Sequence, residues 1–175
     1  MSQLAIRIFG DPALRERALP VNLFDDALRR LAQDMLETMQ AAAGVGLAAN
    51  QVGVLRRLFT YQHEETLGAV VNPEIVETSE EIQSDDEGCL SFPGLFYPTP
   101  RPLRARLRAF DVHGQELNLE GEGLLARIFL HEIDHLNGIL FIDHLAQHDR
   151  KDAMRRIRAG ELEHPPPSDP DAPAA

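Results

Sequence analysis

The chain has 175 residues, 43% of them hydrophobic and 26% charged, a size and balance suited to one globular domain with a real core. A formal net charge of −11 argues against a general nucleic-acid groove, so no DNA partner is expected. No apolar run approaches a membrane span, and the opening "MSQLAIRIFGDP" lacks the basic, apolar and small-residue order of a secretory signal, so no membrane and a cytoplasmic setting are expected.

The first regular element is "FDDALRRLAQDMLETMQAAAG", where Leu28, Leu31, Met35 and Met39 recur at three- and four-residue spacing and Ala32 and Leu36 widen the stripe. This predicts an amphipathic helix starting at Asp25 or Asp26 and stopped by Gly44, with the stripe turned to the core. "GVGLAANQVG" then breaks the pattern. Strand-like pieces follow as "RRLFTYQ", "GAVVNP" and "EIVETSEEIQS". "PLRARLRAFDVHGQEL" alternates, with Leu103, Ala105, Leu107 and Ala109 on one face and Arg104, Arg106 and Arg108 on a solvated one, before a turn at His113 and Gly114. A second helix is predicted from about Gly121–Gly123 to Asn137, stopped by Gly138, and a short third over "DRKDAMRRIRAG". The proline-rich end, 164–175, reads as a disordered tail after a domain of residues 1–163. The fold class is therefore α+β: one domain of antiparallel or mixed strands around a central helix, with an N-terminal and a C-terminal helix.

The second helix carries "LHEIDHLNG". His131 and His135 stand one turn apart and can aim two imidazoles at one divalent metal ion, while Glu132 projects beside them as a base that need not ligate. A third ligand is required. A histidine ten residues after the first is ruled out, because that position is Phe141. Glu161 and Glu163 lie beside the tail, and His144 and His148 fall past the helix stop, as surface residues. Cys89, in "DEGCLSFPG", remains; it is the only cysteine, so no disulfide forms within the chain.

"GVGLAANQVG" (44–53), "EGCLSFPG" (87–94) and "HEIDHLNG" (131–138), in this order, resemble the three signature motifs of the peptide deformylase family, and "IRIFGDPALRERALPV" is similar to that family's N-terminus. The resemblance spans residues 4–145. It implies a metal-dependent hydrolase that removes the formyl group from N-formylmethionyl nascent polypeptides and releases formate. Cys89, His131 and His135 would hold one divalent ion, Fe²⁺ in most members, with Zn²⁺, Ni²⁺ or Co²⁺ able to substitute. Glu132 would activate the water on the metal, and the metal, the Gln51 amide and the Leu90 backbone N–H would hold the oxyanion.

Gly44 and Gly46 would let the backbone approach the substrate where a Cβ would intrude. Residues three, four and seven positions before His131 share its helix face: Ile128, Arg127 and Leu124. Ile128, with Val45 and Gly46, is expected to line a pocket for the methionine side chain, with Arg127 nearby. Phe96 occupies the place where some members carry a basic residue that touches the peptide. Leu130 departs from the glutamine the family usually has before the first histidine. Glu87 is expected to pair with Arg101 and brace the cysteine loop, with Asp134 as a surface or bracing carboxylate. Arg150, Lys151, Arg155, Arg156 and Arg158 form a basic patch that suits ribosome contact, on a helix expected to be removable without loss of catalysis.

Overall fold

The computed structural model describes residues 3–162, and Glu163 and the proline-rich stretch 164–175 lie outside them. Three helices are present, α1 (Asp26–Ala41), α2 (Leu124–Leu136) and α3 (Gln147–Arg158). Seven strands complete the fold: β1 (Gly46–Ala48), β2 (Leu58–His63), β3 (Thr66–Thr78), β4 (Ile82–Glu87), β5 (Tyr97–Pro102), β6 (Arg104–Phe110) and β7 (Glu116–Glu122). They make a five-stranded sheet in the order β1-β2-β3-β6-β7 and a two-stranded sheet of β4 and β5, with every pairing between named strands antiparallel. The α+β expectation is met.

α1 begins where Asp25 accepts a hydrogen bond from the Leu28 N–H at 2.9 Å. It buries Leu28, Ala32, Met35 and Met39, and full burial of each large side chain is worth about 1.5–3 kcal/mol. Its end departs from the expectation. The left-handed residue is Ala43, with φ 53°, and the Gly44 N–H closes the turn on the Met39 carbonyl at 2.9 Å. Gly44 is needed for space instead: a Cβ there would meet Leu90 Cδ1 at 2.6 Å.

The sheet corrects two strand boundaries. "GAVVNP" and the first half of "EIVETSEEIQS" are one strand, β3, interrupted by register shifts between Val71 and Glu74 and between Ile75 and Glu77. Pro73 fits because a bulge relieves it of a ladder hydrogen bond. β5 is a strand that the sequence pattern does not predict, since "YPTPRP" carries three prolines. They fall on alternate, outward positions while Tyr97, Thr99 and Arg101 point inward. The arginine row of β6 is solvated, and each member meets a glutamate: Arg104–Glu81 at 2.6 Å, Arg106–Glu77 at 2.9 Å and Arg108–Glu74 at 2.9 Å.

α2 runs through the middle of the molecule, packed on β1, β2, β6 and β7, and is buried without interruption from Ala126 to Ile133. Its stop is as expected: Gly138 has φ 74° and the Ile139 N–H reaches the Asp134 carbonyl at 2.9 Å. Leu130 is 6% exposed and packs with Ala105 and Ala126, under β6. α3 is not a removable appendage. Ala153 is fully buried, Met154 and Ile157 pack on the cluster containing Cys89 and Phe92, and the Tyr97 hydroxyl donates to Asp152 at 2.8 Å. No helix among the described residues is long and apolar enough to cross a membrane.

Candidate metal centre and active site

α2 sets His131 and His135 one turn apart, and the loop after β4 brings Cys89 to them. The Nε2 atoms of the two histidines lie 3.1 Å apart and Cys89 Sγ is 3.3 Å from His135 Nε2. All three donor atoms fall within 4.8 Å of one another, and all three residues are buried. Two nitrogens bound tetrahedrally at about 2.0–2.1 Å from one ion sit about 3.3 Å apart, so the spacing fits a shared metal. Burial works against a charge on His131, yet the neighbouring Cys89 and Glu87 raise its pKa well above the ordinary value. Burial and the neighbouring His131 lower the pKa of His135, which favours the neutral imidazole a ligand requires.

Glu87, the last residue of β4, organises the surroundings. Its carboxylate takes the His131 Nδ1 contact at 2.5 Å, two bonds from Arg101 at 2.7 and 3.0 Å, and one from Arg127 Nη1 at 2.6 Å. Burial alone would raise its pKa, but the hydrogen bond and charge of His131, then those of Arg101, hold it well below the usual carboxylate range. A carboxylate on the far nitrogen of a ligating histidine fixes the ring's tautomer and orientation. Arg101 continues outward, donating to Asp134 Oδ2 at 2.6 Å, and the same oxygen sits 2.8 Å from His144 Nε2. The Phe141 ring, at 6.2 Å and 29°, stacks on His131.

Glu132 lies 3% exposed beside the donor set, with its Oε2 buried and unpartnered among the described residues. Burial pushes its pKa up to about 7. The room for this carboxylate comes from Gly46, where a Cβ would overlap Glu132 Oε1 and stand 2.8 Å from Cδ. Gln51 is fixed at both ends of its amide: Oε1 accepts the Ala48 N–H at 2.9 Å, and Nε2 donates to Ser91 Oγ at 3.0 Å and lies 3.6 Å from Cys89 Sγ. A cavity opens over these groups, lined by Val45, Gly46, Leu90, Leu124, Arg127 and Ile128 together with Gln51, Cys89, His131 and Glu132.

The structure thus brings together Gln51, Cys89, Leu90, His131, Glu132 and His135, and with them Val45, Gly46, Arg127 and Ile128. Ile128 is both pocket wall and core, at 3% exposure. Gly44 and Gly46 make room for the chain's own Leu90 and Glu132, a use that the expected close substrate approach does not include. Phe96 stands one layer out, its ring over Gly88, and is not among the cavity's lining residues. Glu161 pairs with Arg156 at 2.6 Å, away from the donor set. His144 and His148 are both exposed, as expected, but His144 also closes the Asp134–Arg101 chain. The expected pairing of Glu87 with Arg101 is present, and its contact with His131 is an addition that sequence reasoning misses. The signal for it is Glu87 standing two residues before Cys89, on the strand that delivers the sulfur.

Residues 3–151 match the family model described as polypeptide deformylase. A peptide deformylase of Acidothermus cellulolyticus is 53% identical over 161 residues, which cover 92% of this chain and 89% of that protein. The crystal structure of peptide deformylase from Thermus thermophilus superimposes with a TM-score of 0.86 at 44% identity, over 93% of this chain and 96% of that one. A peptide deformylase from Ehrlichia chaffeensis in complex with actinonin gives a TM-score of 0.87 at 38% identity, over 92% and 99%. With the family model covering most of the chain and relatives of this identity spanning nearly all of it, the chain belongs to the polypeptide deformylase family.

Proposed function

We propose that the chain hydrolyses the formyl group from N-formylmethionyl nascent polypeptides, releasing formate and a free amino terminus. The observation that carries the reading is the unpartnered carboxylate oxygen of Glu132, buried in the same cavity as a thiol and two imidazoles at metal-ligand spacing. Cys89, His131 and His135 hold one divalent ion, ferrous iron in the native enzyme, with zinc, nickel or cobalt able to replace it. When bound, that ion supplies the Lewis acidity that makes water a nucleophile near neutral pH. Glu132 takes the proton from the attacking water, whose oxygen bonds to the formyl carbon. The Gln51 Nε2 and the Leu90 backbone N–H donate to the oxygen that gains negative charge. Glu132 then delivers its proton to the departing nitrogen as the C–N bond breaks. Glu87 holds the His131 ring so that its Nε2 faces Cys89 and His135. Val45, Gly46, Arg127 and Ile128 surround the methionine side chain, and Phe96 supports the wall through Gly88.

The setting is the bacterial cytoplasm, at the ribosome. α3 offers the contact: Lys151, Arg150 and Arg158 flank a shallow depression, while Arg155 and Arg156 are paired with Asp152 and Glu161, and Arg150 lies 3.8 Å from Asp143. Formate release from a formyl-methionyl peptide by nickel-loaded protein tests the reaction. Exchange of Cys89 for serine should strip the metal and the activity together. A metal-loaded wild-type protein that releases no formate would end this reading, and a C89S variant that keeps its metal would remove the ligand set.

A further inference from the structure

The short 3-10 turn Phe141–His144 reaches His131 by two routes, and neither passes through the other donor atoms. Directly, the Phe141 ring stacks on the His131 ring at 6.2 Å. Indirectly, His144 Nε2 lies 2.8 Å from Asp134 Oδ2, and Arg101 Nη1 donates to that same oxygen at 2.6 Å. The other edge of the guanidinium donates twice to Glu87, whose Oε1 meets His131 Nδ1 at 2.5 Å. The contacts thus run without a gap from a ring that is 35% open to solvent to a buried imidazole. Gly138 makes the return possible: its φ of 74° turns the backbone so that a residue ten places after Asp134 comes back to it.

Resting on Cys89, His131 and His135 as the ligand set, we propose that His144 is a positioning residue for the metal centre. Its Nε2–H holds Asp134, Asp134 holds Arg101, and Arg101 keeps the Glu87 carboxylate where it aims His131 Nε2 at Cys89 and His135. The tautomer follows from the partners: a carboxylate only accepts, so the proton sits on His144 Nε2 and points at Asp134 Oδ2. The 3.4 Å approach of Arg101 Nη1 to that nitrogen is then one donor beside another, both aimed at a single oxygen. Asp134 needs the second donor because its side chain is 17% exposed and water competes for it. Arg101 is 4% exposed, and among the described residues its Nη1 has no other acceptor if Asp134 turns away. A buried guanidinium with an empty nitrogen is costly, so it shifts, and the two-bond fork on Glu87 shifts with it. The turn that presents His144 is itself secured, since Asp143 accepts from the Leu140 N–H at 3.0 Å and from Arg15 at 2.6 Å.

Cobalt-loaded protein provides the test. Co²⁺ absorbs visible light according to its ligand geometry, and its transfer to an excess of chelator gives a release rate that needs no substrate. Loss of a partner that touches a ligating histidine costs roughly 10–100-fold in metal affinity or activity. His144 stands three contacts beyond Glu87, so His144→Leu should speed cobalt release by about three- to tenfold and shift the visible bands, with KM for a formyl-methionyl peptide unchanged. His144→Gln, whose side-chain amide still donates, should restore the wild-type release rate and spectrum. In an Asp134→Ala background the leucine exchange should add nothing, because the contact it removes is already gone. Wild-type release and spectrum in His144→Leu would overturn the proposal, and so would additive effects in the Asp134→Ala background. A glutamine variant as impaired as the leucine one would also overturn it, since His144 would then serve only to pack the turn. His144→Ser removes the same contact and gives the same reading if the leucine protein does not fold. Wild-type protein that takes up no cobalt, or whose bound cobalt shows no sulfur-to-metal absorption, would strike the ligand set itself and this proposal with it.

Discussion

Replacing Gly46 with alanine perturbs Glu132, the proposed base, and leaves the side chains of Cys89, His131 and His135 untouched. The added methyl would stand 2.8 Å from Glu132 Cδ and 3.0 Å from Cγ, with Oε1 closer still. Carbon atoms prefer to approach no nearer than about 3.5 Å, so a displacement of about 0.5–1 Å must be absorbed. β1 cannot yield easily, because Gly46 is in register with Tyr61 on β2 and flanked by the fully buried Leu47. The carboxylate therefore rotates away from its place beside the cavity. A misplacement of about 1 Å in a reacting group costs on the order of 10²-fold in rate, close to 2.7 kcal/mol of barrier. Formate release should show kcat falling about 100-fold with KM changed little, while metal analysis and thermal unfolding stay near wild type. Activity within about threefold of wild type would refute the steric argument, and a loss that tracks loss of metal would show that the perturbation reaches the ligands instead.

Ile128→Phe adds bulk to a wall that is 3% exposed, and steady-state kinetics should show KM for formyl-methionyl peptides rising severalfold; unchanged kinetics would remove Ile128 from the pocket. Ala43→Gly relieves a left-handed alanine at φ 53°, and urea unfolding should report a gain of about 0.5–1 kcal/mol with no change in turnover. Lys151→Glu with Arg158→Glu should weaken ribosome co-sedimentation and flatten its salt dependence while peptide cleavage persists, because both residues are exposed on α3 and neither touches the cavity. Deleting α3 is a poorer experiment, since it would uncover the fully buried Ala153 contact and the Tyr97–Asp152 bond.

Helix α1 is legible because its burial follows a 3.6-residue stripe, whereas α2 is buried nearly all round and is marked instead by the histidine spacing and the glycines that flank it. The end of α1 is not legible, because alanine rarely takes the left-handed conformation and nothing in "AAAG" marks Ala43 over Gly44 for it. β5 is hidden by the proline alternation, which reads as a turn-rich loop until Tyr97, Thr99 and Arg101 are seen to share one face. In the site, His131, His135 and Glu132 announce themselves through spacing on one helix. Cys89 has no such local signal; it is 42 residues from the nearer histidine and only the order of motifs singles it out. The Glu87 cluster is harder still, since its members come from separate strands and α2 and meet only in the fold. His144 shows the same limit, lying past a helix stop yet bound to Asp134 inside the preceding helix.

Leu130 gives the motif's one irregularity a mechanical meaning. Successive residues on an α-helix are turned about 100° apart, so the neighbour of a ligand in the chain faces a different landscape from the ligand. Here that landscape is two alanines, Ala105 and Ala126, which the leucine seats against as a foot sits on a step. A leucine at this place adds apolar burial between the helix and the sheet, on a different face from the one that turns His131 and His135 toward Cys89.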